Sequence, residues 1–166
     1  MNIYEYATQM ELDGERYYRE LARKSKSPGL SNIFSMLAGE EVKHYRIIEN
    51  LRRRESGPPE MAETKILEDV KNVFSHMSDS EPPLRIDTTE ETQSYRKACE
   101  IEEESRKFYR EKADEVEAVH QRQIFLQLAA EEAKHLRIME NIVEFVSRPE
   151  PGNWLENAEW HHLDEY

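Results

Sequence analysis

The segment LAGEEVKHYRIIEN, Leu37 to Asn50, returns ninety-one residues later as LAAEEAKHLRIMEN, Leu128 to Asn141. Between Phe34–Leu51 and Phe125–Ile142, eleven of eighteen positions are identical. The same offset aligns Ala7 with Ala98, Glu11 with Glu102, Tyr18 with Tyr109, Arg19 with Arg110, Glu20 with Glu111 and Ala22 with Ala113. One unit of sequence is therefore present twice.

Each copy has the spacing of two long helices. Tyr4, Ala7, Met10, Gly14, Tyr17, Tyr18 and Leu21 form one stripe at three- and four-residue intervals, and Ile33, Phe34, Leu37, Ala38, Tyr45, Ile48 and Leu51 form the next. Lys26-Ser27-Pro28-Gly29 breaks the first from the second, and Gly57-Pro58-Pro59 ends the second. Met61 to Met77 reads as a shorter connecting helix, stopped by the turn-rich Asp79 to Pro83. After the capping residues Asp87-Thr88-Thr89, a third long stripe runs from Tyr95 to Ala113 and a fourth from Phe125 to Val146, before Pro149 and Pro151. Two helical hairpins joined by a connector give an all-α four-helix bundle with one long crossover connection. One domain is expected over 1–147, with hairpins at about 2–56 and 88–147, a connector at 57–87 and a tail at 148–166.

Composition supports this and excludes other classes. Charged residues are 35% of the 166, hydrophobic ones 37%, with few glycines, a profile of solvated helices. The formal net charge of −12 repels phosphate backbones and anionic membranes, so neither nucleic acid nor a membrane surface is an expected partner. The single cysteine, Cys99, permits no internal disulfide and no Cys-x-x-Cys motif, which fits a reducing compartment. No run of eighteen apolar residues occurs and the N-terminus lacks a basic, apolar leader, so a cytoplasmic location is expected.

Charge interrupts every apolar stripe at its middle. Glu11 and Glu102 sit inside the first and third stripes, Glu41 with His44 and Glu132 with His135 inside the second and fourth. Buried without compensation, each carboxylate costs several kcal/mol. Residues three apart share a helix face at roughly 5–6 Å, so each Glu-x-x-His pair can reach one ion. One Glu from each of two helices and Glu-x-x-His from each of the others is the inward ligand set of di-iron and di-manganese bundles. Four carboxylates balance two divalent ions, and carboxylate with imidazole suits Fe or Mn. Two iron ions are the expected cofactor, with Mn or Zn as possible substitutes.

Glu-x-x-His also occurs at Glu117/His120 and Glu159/His162. The first aligns with an interhelical turn and has no repeat partner, so it reads as solvated surface. Tyr18 and Tyr109 lie seven residues beyond Glu11 and Glu102 and either hydrogen-bond a ligand carboxylate or pack; they are the candidate catalytic side chains. Cys99 reads as core filler rather than a redox group. Glu40 and Glu131 are expected on the polar side, and Arg46–Glu49 and Arg137–Glu140 as surface pairs. In the tail, Trp154, Leu155, Trp160 and Leu163 read as a structural cover, and His161/His162 as no metal site.

The sequence resembles the rubrerythrin family of the ferritin-like superfamily over nearly all of residues 1–147. The resemblance is carried by Met10-Glu11-x-x-Gly14-x-x-Tyr17-Tyr18, Leu37-Ala38-x-Glu40-Glu41-x-x-His44, Ile101-Glu102-x-x-Ser105-x-x-Phe108-Tyr109 and Leu128-Ala129-x-Glu131-Glu132-x-x-His135. It implies Glu41 and Glu132 as bridges between two irons, Glu11 and Glu102 as terminal ligands, and His44 and His135 on one iron each. It further implies reduction of hydrogen peroxide, or reaction with oxygen, in a homodimer. Rubrerythrins usually carry a four-cysteine iron site, which one cysteine cannot build, so an external electron-donor protein is implied. They also place an additional Glu where this chain has Ser105, which puts the associated carboxylate shift in doubt.

The leading expectation is thus a di-iron carboxylate oxidoreductase. A non-catalytic protein that sequesters iron or another divalent metal is the alternative, and a metal-free helical interaction protein the third.

Overall fold

The computed structural model describes residues 2–53, 65–80 and 89–147, which hold five helices and no strand. α1 (Ile3–Lys24) packs along α2 (Pro28–Arg53), and α4 (Thr89–Glu115) along α5 (Val119–Ser147). α3 (Ile66–Ser80) lies against α2 and α5. This is the all-α, two-hairpin bundle that the duplication implies. The residues expected to end α2, Gly57 to Pro59, and the whole tail, with its tryptophans and the Glu159/His162 pair, fall outside the described residues.

Local chemistry sets the helix ends. Asn2 is extended at φ −83°, ψ 172°, and its Oδ1 accepts the Glu5 N–H at 2.8 Å, capping α1. Glu5 in the first turn and Arg23 with Lys24 in the last complement the helix dipole. Ser27 Oγ accepts the Leu30 N–H at 3.2 Å, so Pro28 occupies the first turn of α2, where no N–H is needed. The break between the helices is therefore Ser25–Ser27, and Pro28-Gly29 begin α2 rather than forming the turn. A Cβ on Gly29 would lie 2.2 Å from Met77 Cγ, so α3 packs directly on the backbone of the first turn of α2. α3 itself runs on to Ser80, past the Asp79 at which the composition placed its end.

The core divides into two apolar clusters. One holds Phe34, Leu37, Ala38, Tyr18 and Ala98 together with Ile66, Val70, Phe74 and Met77 of α3. The other holds Phe125, Leu128, Ala129, Tyr109 and Ala7. Every repeat pair named here is split between them. The duplication therefore acts as an approximate two-fold relation that exchanges the ends of the bundle, and only one end carries the connector helix. Phe34 and Phe125 are fully buried, each worth roughly 1.5–3 kcal/mol of apolar transfer. The midpoint that the two-fold leaves unchanged is where the charged residues of the four stripes meet.

Candidate metal centre

α1 contributes Glu11, α2 Glu41 and His44, α4 Glu102, and α5 Glu132 and His135; none is more than 4% exposed. His44 Nδ1 lies 2.8 Å from Glu132 Oε1 and 3.5 Å from Glu11 Oε1. His135 Nδ1 lies 3.3 Å from Glu41 Oε1 and 3.5 Å from both Glu102 Oε1 and Glu132 Oε2. The two rings stack at 5.4 Å between centroids, 6° from parallel. Within this arrangement Glu11, Glu41, His44 and Glu132 bring one ligand atom each to within 4.8 Å of one another, and so do Glu41, Glu102, Glu132 and His135. Glu41 and Glu132 belong to both quartets. Glu11 with His44, and Glu102 with His135, belong to one each.

The two tyrosines reach this cluster crosswise. The Tyr18 hydroxyl donates to Glu102 Oε1 at 2.5 Å, and the Tyr109 hydroxyl donates to Glu11 Oε1. Both rings are buried, in opposite apolar clusters. Of the two roles left open for them, the structure has the hydrogen bond.

Six ionisable groups in a dry interior must share charge. Burial and the neighbouring Glu132, Glu11 and Glu102 carboxylates push Glu41 well above the usual carboxylate range; burial with Glu102 and Glu11 does the same to Glu132. Burial works against ionised Glu11 too, but His44 and hydrogen bonds from its neighbours, Tyr109 among them, outweigh it and hold the carboxyl at about 2. Glu102 is likewise lowered, with hydrogen bonds from Glu132, His135 and Tyr18 overcoming burial. Burial disfavours both imidazolium ions, yet Glu11 and Glu41 raise His44, and Glu102 with Glu132 and Glu41 raise His135 well above its usual value. Burial and adjacent carboxylates keep Tyr18 and Tyr109 protonated. Protons thus supply the positive charge that the cluster requires.

The donor set fits a pair of divalent cations. Glu11 Oε2, Glu102 Oε2 and Glu132 Oε2 are buried with no hydrogen-bond partner, which protein groups alone do not leave unpaired without cost. Four carboxylates match the charge of two such ions, and the oxygen and imidazole donors suit iron, manganese or zinc.

Other sequence expectations are redistributed. Glu117 and His120 are exposed at the α4–α5 turn, apart from the cluster. Cys99 packs half-buried beside the first cluster, and burial with Glu140 and Glu102 nearby pushes its thiol up to about 11. Glu49 meets Arg52 at 3.7 Å and Arg53 at 3.8 Å rather than Arg46. Glu40 and Glu131, expected on the polar side, are instead buried at 7% and 9% exposure. Neighbours on a helix are only about a quarter-turn apart, and each follows the inward face around to the ring of the histidine one turn on.

A cavity of about 420 Å³ opens between α1 and α4, lined by Tyr6, Gln9, Met10, Asp13, Gly14, Tyr17, Ile101, Glu104 and Ser105. Gly14 and Ser105 are repeat partners, and the small size of both residues leaves this seam open. A Cβ on Gly14 would stand 3.0 Å from Glu41 Oε2, so a residue that lines the cavity also lies against that carboxylate. Nothing in the periodicity announces this opening; the small residues at matching positions are its only trace in the sequence.

No curated protein and no solved structure matches the chain. The rubrerythrin family model matches residues 2–97 and 94–151, covering most of the chain in two segments. With paired hairpins around a buried Glu/His cluster and this match along its length, the chain belongs to the rubrerythrin family.

Proposed function

We propose that the protein is a di-iron oxidoreductase that reduces hydrogen peroxide or oxygen, fed by an electron donor outside these 166 residues. The observation that carries this reading is the sharing of Glu41 and Glu132 by two buried quartets, each completed by its own Glu and His. In that reading Glu41 and Glu132, common to both quartets, would serve both ions, Glu11 and His44 would complete the holding of one, and Glu102 and His135 that of the other. Two ferrous ions, when bound, supply one electron each to a two-electron oxidant.

The chain's own residues supply orientation and protons. Tyr18 and Tyr109 hold Glu102 and Glu11 by their hydroxyls, and burial keeps both phenols in the donor form. The α1–α4 cavity is the route by which a small oxidant reaches the buried cluster, because Gly14, which lines it, lies against the Glu41 carboxylate. The flanking apolar clusters exclude water on either side. A homodimer in a reducing, cytoplasmic setting completes the proposal.

Anaerobic loading with ferrous iron followed by stopped-flow mixing with peroxide tests it. The expected result is rapid oxidation of both ions and repeated turnover when a reductant is supplied. Iron that is bound but unreactive, or that stops after a single oxidation, contradicts the enzymatic reading and leaves a metal-sequestering protein.

A further inference from the structure

Glu40 and Glu131 stand outside the six residues assigned to the ions, yet both are buried. Each precedes a histidine of its own helix by four residues, hence by about one turn. One carboxylate oxygen from each and one ring nitrogen from each of His44 and His135 lie within 4.8 Å of one another. In both rings Nδ1 is already directed at the central carboxylates, at 2.8 to 3.5 Å. A neutral ring that gives its Nδ1 lone pair to a cation carries its proton on Nε2, and a buried N–H needs an acceptor. His135 Nε2 is buried with no hydrogen-bond partner, and so is Glu131 Oε2.

We propose that Glu40 and Glu131 are positioning residues that accept the Nε2–H of the two histidines, fixing each ring in the tautomer that presents Nδ1 to the metal. The repeat supplies a second feature that fits. Lys43 Nζ lies 3.3 Å from Glu40 Oε1, and Lys134 Nζ 3.1 Å from Glu131 Oε1. Each lysine engages Oε1, which on Glu131 leaves Oε2 for the ring. It also balances the added negative charge, so the extra carboxylates do not upset the match between four ligand carboxylates and two cations. The motif is thus Glu-Glu-x-Lys-His in both halves, with the first Glu serving the histidine and the second the ion.

This rests on the metal reading above and is tested with zinc, which is redox-inert. Wild-type protein, labelled with ¹⁵N at histidine and loaded with zinc, is expected to show Nε2–H protons at low field for both rings and two ions per chain. Glu131→Gln and Glu40→Gln keep size and an acceptor but lose charge. Each is expected to leave the apo melting temperature unchanged, shift one Nε2–H resonance upfield and weaken zinc binding by about tenfold, with the alanine variants nearer 100-fold. Unchanged resonances and affinity in the glutamine variants, with zinc still bound, overturn this inference alone. A third zinc ion lost on Glu131→Gln also overturns it, because Glu131 is then a ligand. Wild-type protein that binds no zinc overturns the metal reading and this inference with it.

Discussion

The hydroxyl of Tyr18, on α1, donates to Glu102, on α4, at 2.5 Å, and the duplicate of this bond joins Tyr109 to Glu11. Each half of the chain thereby orients a buried carboxylate of the other. Tyr18→Phe and Tyr109→Phe should each lower stability by about 1.5–3 kcal/mol, the worth of a hydrogen bond to a charged group. Each should also weaken metal binding by about 10–100-fold. Thermal melts and a competition titration against a chelator measure the two effects. Equal behaviour of the two variants is expected from the two-fold relation, and a variant indistinguishable from wild type would show that its phenol merely packs.

The bridging candidates should behave oppositely with and without metal. Burial and like charge disfavour ionised Glu132, so Glu132→Gln should leave the apo protein as stable as wild type or up to about 1–2 kcal/mol more so. The same variant should lose its second ion. Melting curves with chelator and with excess metal, run side by side, reveal whether the sign reverses.

Stability of the apo protein should fall as pH rises. Glu41 and Glu132 have folded-state values well above 4.5, so between that value and their own the folded chain holds protons that the unfolded chain has released. His44 and His135 are raised above 6.5, so their contribution is complete below 6.5 and disappears as pH climbs through their folded values. Both effects have the same sign. Glu11, held at about 2, and the lowered Glu102 act the other way, stabilising above 4.5 and failing only as pH falls toward their own values. The apo melting temperature is therefore predicted to be higher near about pH 5 than near about pH 8. Metal uptake should release protons, because the groups whose affinity for a proton is raised, Glu41, Glu132, His44 and His135, give theirs up to a cation. An indicator dye in weak buffer counts them, and proton-free uptake would mean that the ions bind elsewhere.

Filling the seam between α1 and α4 should obstruct the centre without dismantling it. Ser105 is 6% exposed and lines the cavity, and none of the six clustered residues is altered by Ser105→Leu. That variant should bind the same amount of metal as wild type but take it up, and react with peroxide, more slowly. Unaltered rates would place the entrance on another face.

Much of this architecture is visible in the sequence because duplication repeats each signal. A lone Glu-x-x-His is weak in so acidic a chain, as exposed Glu117/His120 shows, whereas two copies on apolar stripes at one offset converge. Periodicity assigns a residue to a face but not to a partner, so it placed Tyr18 beside Glu11 along one helix when its hydrogen bond crosses to Glu102. It also fails at the margins of a face. Glu40 and Glu131 border the apolar arc, and only the packing of α2 with α5 turns that border into interior. The cavity depends on what two small residues leave unfilled, which no stripe of large ones reveals.

The proposed function requires Glu11, Glu41, His44, Glu102, Glu132 and His135 to hold two metal ions together. Elemental analysis of protein loaded anaerobically with ferrous iron and freed of excess by gel filtration tests it most directly, run beside a Glu41→Ala/Glu132→Ala variant. Two iron atoms per wild-type chain and none in the variant are expected. Wild-type protein without iron, or a variant that retains both atoms, would contradict it.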